Sequence, residues 1–146
     1  MPLGCGPNFC WLRMIEWSLA MNRSLLTVSA VIEAGAGAAL VAAPVTVVAI
    51  LVGGTLDSPG GLAVARLAGA ALFTISLMCW FAGRDPGSRA AAGVVAALVF
   101  YNAAAVGILL YALLGMGLSG PGTLPAIILH GGLAAWCLAC IARPAA

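Results

Sequence analysis

The sequence predicts an all-α membrane protein: a single domain of four transmembrane helices packed as an antiparallel bundle. Three observations carry that expectation. Hydrophobic residues make up 64% of the chain against 7% charged, and the mean hydropathy is +1.15, so 146 residues could not clothe a water-facing surface. The apolar residues fall in four runs, each long enough to cross a hydrocarbon core, which takes about 20 helical residues. Short segments rich in glycine and proline separate the runs, and these residues end helices and turn chains. The expected division is an N-terminal segment 1–24, a four-helix domain 25–142 with helices at about 25–52, 62–82, 90–114 and 124–142, and a tail 143–146.

Residues 1–24 begin with glycine and proline breaks, then Trp11 to Trp17, a stretch whose aromatic ends suit a membrane interface. It lacks the charged n-region and the A-x-A site of a signal peptide. Met14 and Met21 are alternative starts, so this segment is read either as interfacial or as an extension ahead of the true start. The first spanning run, 25–52, exceeds the required length, and Pro44 inside it should kink or bend the helix. Its Ala30, Ala34, Gly35, Gly37, Ala38 and Ala42 would let another backbone come close. Residues 53–61, with Asp57-Ser-Pro-Gly, form a turn.

The second run carries Arg66 near its start and Cys79-Trp80 near its end. A short polar connection follows, 83–89, in which Asp85 or Ser88 can cap the next helix. The third run is alanine-rich with Tyr101-Asn102 at its middle, and a glycine-rich loop, 115–123, leads to the fourth, which holds His130, Cys137 and Cys140.

Four spans put both termini on one side. Arg13, Arg23, Arg84, Arg89 and Arg143 fall on that side, and neither loop on the other contains Lys or Arg, so both termini are expected in the cytoplasm. The high Ala and Gly content, with Arg used to the exclusion of Lys, points to a bacterial host and hence to its inner membrane. All six basic residues are arginines, too sparse for the clustered basic face that nucleic acid requires. Five cysteines, odd in number and mostly within apolar runs, argue against a secreted disulfide framework. A shift of 62 residues aligns Gly53, Pro59, Gly60 and Gly69 with Gly115, Pro121, Gly122 and Gly131, which suggests two hairpins of like orientation.

Polar groups inside the spans are the candidates for function, since they are costly in lipid. From about 1.5 Å of rise per residue, Arg66, Tyr101, Asn102 and His130 are expected to converge in the outer half of the bundle. By the same count Glu33 lies nearer the cytoplasmic face, about 10 Å or more away, which disfavours a direct Glu33 to Arg66 pair. Ser29, Glu33 and Gly37 share one helix face, aimed at the bundle interior. Each residue also has a structural role open to it: Arg66 can snorkel to the headgroups, and His130 can bond a backbone carbonyl or Asn102 across helices. Tyr101 and Asn102 can serve as interhelical glue. Cys137 and Cys140 form a C-x-x-C, with Cys79 at a similar depth. Cysteine is a small apolar residue common in such cores, and His130 sits roughly 10 Å along the helix from Cys137, too far to share a metal ion.

No catalytic motif, phosphate loop or H-E-x-x-H pattern is present in the spans, nor the paired histidines that would hold a haem between helices. Neither cofactor nor metal is expected. The layout of four spans with Glu33, a Pro-Gly loop, Arg66, Tyr101-Asn102 and Leu129-His130 resembles small uncharacterised bacterial inner-membrane proteins of the broad DoxX-like type over about residues 25–142. That resemblance implies an inner-membrane bundle linked to redox or quinone chemistry. The chain is also similar to the small multidrug-resistance exporters in having a membrane carboxylate in helix one, where Glu33 falls when counted from Met21. It departs from them in lacking the aromatic and G-x-x-Y-A-type stretch of helices two and three, and in its firm charge bias. The sequence therefore predicts a non-enzymatic or accessory membrane component. The alternatives are a proton-coupled transporter using Glu33 and a quinone- or redox-linked protein. Expected partners are the lipid bilayer and a second copy or another membrane protein.

Overall fold

A computed structural model describes residues 7–142, with side chains over 16–142. The elements are α1 (Pro7–Ala42), α2 (Pro44–Val52), α3 (Pro59–Ala82), α4 (Arg89–Leu110), a π-helical turn (Tyr111–Gly115) and α5 (Thr123–Ile141). Among the described residues there is no strand, and four helices are long and apolar enough to cross a membrane: Glu16–Ala42, Pro59–Ala82, Arg89–Gly115 and Thr123–Ile141. Many large apolar side chains point outward, Phe100 and Leu114 each with 79% of their surface free. Only a lipid solvent makes that arrangement cheap.

The N-terminal boundary differs from the expectation. No break occurs at residue 24; α1 runs through it, and Leu25 and Leu26 are wholly buried, with Met21 packed on the same core. The polar residues Asn22, Arg23 and Ser24 resemble a boundary in sequence, yet a helix passes readily through the headgroup zone. Residues 1–6 and 143–146 lie outside the described residues, as do the side chains of Cys10, Trp11 and Arg13.

The expected first span of 25–52 is two helices. Pro44 has no N–H to donate and its ring crowds the carbonyl four residues back, so Ala43 leaves helical backbone at φ −136°, ψ 58°. Ala43 N–H still bonds the Ala39 carbonyl at 2.8 Å, and the ladder resumes with Val47 to Ala43 at 3.1 Å. The span thus ends at Ala42, and α2 is a separate short helix capped by Gly53 at φ 67°.

The helices pack chiefly as two pairs, α1 with α3 and α4 with α5. Along the first pair, later residues of α1 meet earlier residues of α3: Leu26 lies by Gly83, Gly37 by Gly69 and Phe73, and Val41 by Gly69 and Arg66. A Cβ at Gly37 would stand 2.7 Å from the Gly69 carbonyl oxygen and 2.8 Å from the Phe73 nitrogen. The two backbones are therefore in direct contact, the arrangement that small residues permit in membranes.

Ser58 and Ser88 cap α3 and α4, their hydroxyl oxygens accepting from Gly61 N–H at 3.0 Å and Ala91 N–H at 3.1 Å. At the opposite end from Ser88, the connection after α4 is stitched to α2. The Ile50 carbonyl accepts from Gly122 N–H at 2.8 Å, and the Leu51 carbonyl accepts from the Thr123 hydroxyl, which itself accepts from Gly120 N–H at 2.9 Å. These bonds satisfy carbonyls that the end of α2 would otherwise leave orphaned.

Candidate intramembrane polar site

Glu33 stands on the buried face of α1 with 2% of its surface free, one turn from Ser29, which is 1% free. The i, i+4 repeat of Ser29, Glu33 and Gly37 puts all three toward the neighbouring helices. The Tyr101 hydroxyl on α4 donates to Glu33 Oε2 at 3.1 Å. The Tyr101 ring meets the His130 ring of α5 edge to face, centroids 5.6 Å apart at 84°. His130 Nδ1 lies 2.8 Å from Asn102 Oδ1.

The tautomer of His130 follows from its partner. Asn102 Nδ2 donates to the Leu98 carbonyl at 2.8 Å, which turns the amide oxygen toward the imidazole. An amide oxygen only accepts, so His130 Nδ1 carries the proton and Nε2 is the nitrogen left to gain or release one. Asn102 is 1% free and His130 half-buried. Glu33 and His130 both touch Tyr101, but the second contact is ring to ring, so no continuous chain of hydrogen bonds joins carboxylate to imidazole.

Of the residues that the sequence expected to converge, Tyr101, Asn102 and His130 come together and Arg66 does not. Glu33, expected about 10 Å from that level, instead joins them through Tyr101. The cause is the break at Ala43. Measured from the true end of the span at Ala42, Glu33 is about 13 Å deep; measured from Val52 it would have been about 28 Å. Arg66 faces outward and donates from Nε to the Val41 carbonyl at 3.4 Å. Pro44 is the sequence signal for that bond, since it disrupts the helical pairing of the carbonyls just before it.

Ser29 Oγ is buried with no hydrogen-bond partner. Cys79 and Cys137 are buried free thiols, and Cys140 is buried as well. Among the described residues no group of three or more His, Cys, Asp or Glu is arranged to hold a metal ion. The close-packed Gly37 was legible only as a member of a small-residue set and Gly69 only as a position in the 62-residue alignment, and Thr123 carried no sequence signal beyond its place beside a loop.

Fold and site together define a multi-pass, all-helical membrane protein with a polar cluster at the centre of its bundle. Comparison with family models, with curated proteins and with solved structures returned no match.

Proposed function

We propose that this is a non-enzymatic inner-membrane protein, an antiparallel four-span bundle with both termini cytoplasmic, whose working group is Glu33 and whose activity is proton-coupled binding or transport of a small ligand. The observation that carries the reading is the Tyr101 hydroxyl held 3.1 Å from a carboxylate with 2% of its surface free. An intramembrane carboxyl is expensive, and such groups serve proton relays and ligand pathways. Ser29 supports the same reading: its hydroxyl lacks a partner one turn away on the same face, where a neutral Glu33 needs an acceptor for its own proton. His130, with Nε2 uncommitted by the Asn102 bond, is a second protonatable group across the Tyr101 ring.

Carboxyl infrared difference spectroscopy on the protein in nanodiscs, with Glu33→Gln to assign the band, tests this. The expected result is a Glu33 band that titrates and that shifts when a hydrophobic cation is added. A band indifferent to both pH and cations would remove the proton-coupled reading and leave Glu33 as interhelical glue.

A further inference from the structure

Two recesses run end to end along the outward face of the α1–α3 pair. One, of about 440 Å³, is lined by Gly37, Ala38, Val41, Ala70 and Phe73; the next, of about 310 Å³, by Ala30, Val31, Ala34, Ser76, Leu77 and Trp80. On α1 the sequence positions 31, 34, 38 and 41 repeat at three and four, and on α3 the positions 70, 73, 77 and 80 do the same, so each set is one stripe of its helix. The recesses therefore form a single apolar groove about 15 Å long, with a floor of alanine and glycine and walls of Val31, Val41, Phe73 and Trp80.

Arg66 continues the α3 stripe, one turn beyond Ala70. Its Nε bond to Val41, itself a groove residue, fixes the guanidinium at the groove's end, and that bond uses one of five N–H groups. No Lys or Arg stands in the adjoining loops 53–58 and 116–122, so Arg66 is the cationic group at that end of the bundle. Arg66 stands seven residues into the Pro59–Ala82 span, about 10 Å at helical rise, a depth from which a long outward-facing side chain snorkels to the headgroups, and a guanidinium there takes a phosphodiester in a two-pronged hydrogen bond. The groove length matches half of a roughly 30 Å hydrocarbon core, the thickness of one leaflet.

From this geometry we propose that the groove holds one phospholipid of the leaflet on the α2 side, its phosphodiester on Arg66 and one acyl chain along the α1–α3 seam. A second copy of the chain fits less well. Self-association through this stripe would bring Arg66 against an apolar surface with no carboxylate in it, because Glu33 is on the buried face of α1.

Native mass spectrometry of the detergent-purified protein tests the site, titrating phosphatidylglycerol, diacylglycerol of the same chains, and inorganic phosphate. The wild type should retain one phosphatidylglycerol per chain, with diacylglycerol held about tenfold less well for want of charge-assisted bonds. Arg66→Gln should lose about tenfold in retention while Arg66→Lys loses less. Ala38→Phe, which fills the groove and leaves Arg66 in place, should lower retention of both lipids. Inorganic phosphate should not displace the lipid. Equal retention by wild type, Arg66→Gln and Ala38→Phe would overturn the proposal, as would displacement by phosphate alone. A lipid-free dimer abolished by Ala38→Phe would overturn it in favour of a second copy. Circular dichroism of each variant separates loss of the site from loss of the fold.

Discussion

Along α1 and α3 the backbones touch, with Gly37 lying on Gly69 and Phe73 at distances that leave no room for a methyl group. Along α4 and α5 side chains reach across instead, His130 to Asn102 at 2.8 Å, and Tyr101 extends the contact to Glu33 at 3.1 Å. In lipid, where no hydrophobic force drives helices together, close van der Waals packing and hydrogen bonding are the two means of association. This bundle uses the first for the seam that faces outward as a groove and the second where its ionisable groups meet. The first tolerates no added volume. The second rests on a few directional contacts between side chains.

The largest expected effect comes from forcing the backbone seam apart. Gly37→Val should cost about 3 kcal/mol, since its Cβ would run into the Gly69 carbonyl oxygen and the Phe73 nitrogen, backbone atoms that cannot swing aside, and denaturation of the reconstituted protein with sodium dodecyl sulfate would measure it. Thr123→Val comes next, at about 2 kcal/mol, because it strands the Leu51 carbonyl and Gly120 N–H at the buried joint between α2 and α5. The same denaturation assay applies, and a loss under about 0.5 kcal/mol would show that water replaces the hydroxyl there.

The polar seam should respond more gently. Tyr101→Phe should cost about 1 kcal/mol, and a double-mutant cycle with Glu33→Gln should give a coupling of about 0.6 kcal/mol, the scale typical of hydrogen bonds between membrane helices. Zero coupling would mean that the 3.1 Å contact does not hold the helices. The smallest effect sharpens the comparison most. Gly69 and Gly131 occupy equivalent places in the 62-residue sequence alignment, yet a Cβ at Gly69 would stand 2.8 Å from the Gly37 carbonyl oxygen, while nothing lies within 4 Å of one at Gly131. Gly131→Ala should therefore raise stability by about 0.5 kcal/mol, the helix-propensity gain over glycine, and Gly69→Ala should lower it. Equal effects would mean that the two glycines do share one role.

Four apolar runs interrupted by glycine and proline were sufficient to count the spans and to place the last three of them, because helix is the conformation that satisfies a backbone in lipid. Ser88 as the cap of α4 was legible too, from its place just ahead of an apolar run. Pro44 announced a disturbance, but whether the chain bends and continues or stops and restarts depends on what packs beside it. That choice set the depth of Glu33, so counting along an uninterrupted first span put the carboxylate at the wrong level, although its inward direction followed from the spacing of Ser29, Glu33 and Gly37.

The sequence by itself determined the solvent, the number of spanning helices and the few polar groups that lipid would make expensive, because these follow from composition and local hydrogen bonding. Only the tertiary structure decided which of those groups meet, which glycines are irreplaceable and that Arg66 caps a broken helix rather than joining the cluster. Those outcomes turn on how two helices slide and rotate against one another. A register shift of one residue moves a side chain about 1.5 Å and about 100° around its axis, and apolar runs of alanine, leucine and valine are nearly indifferent to it.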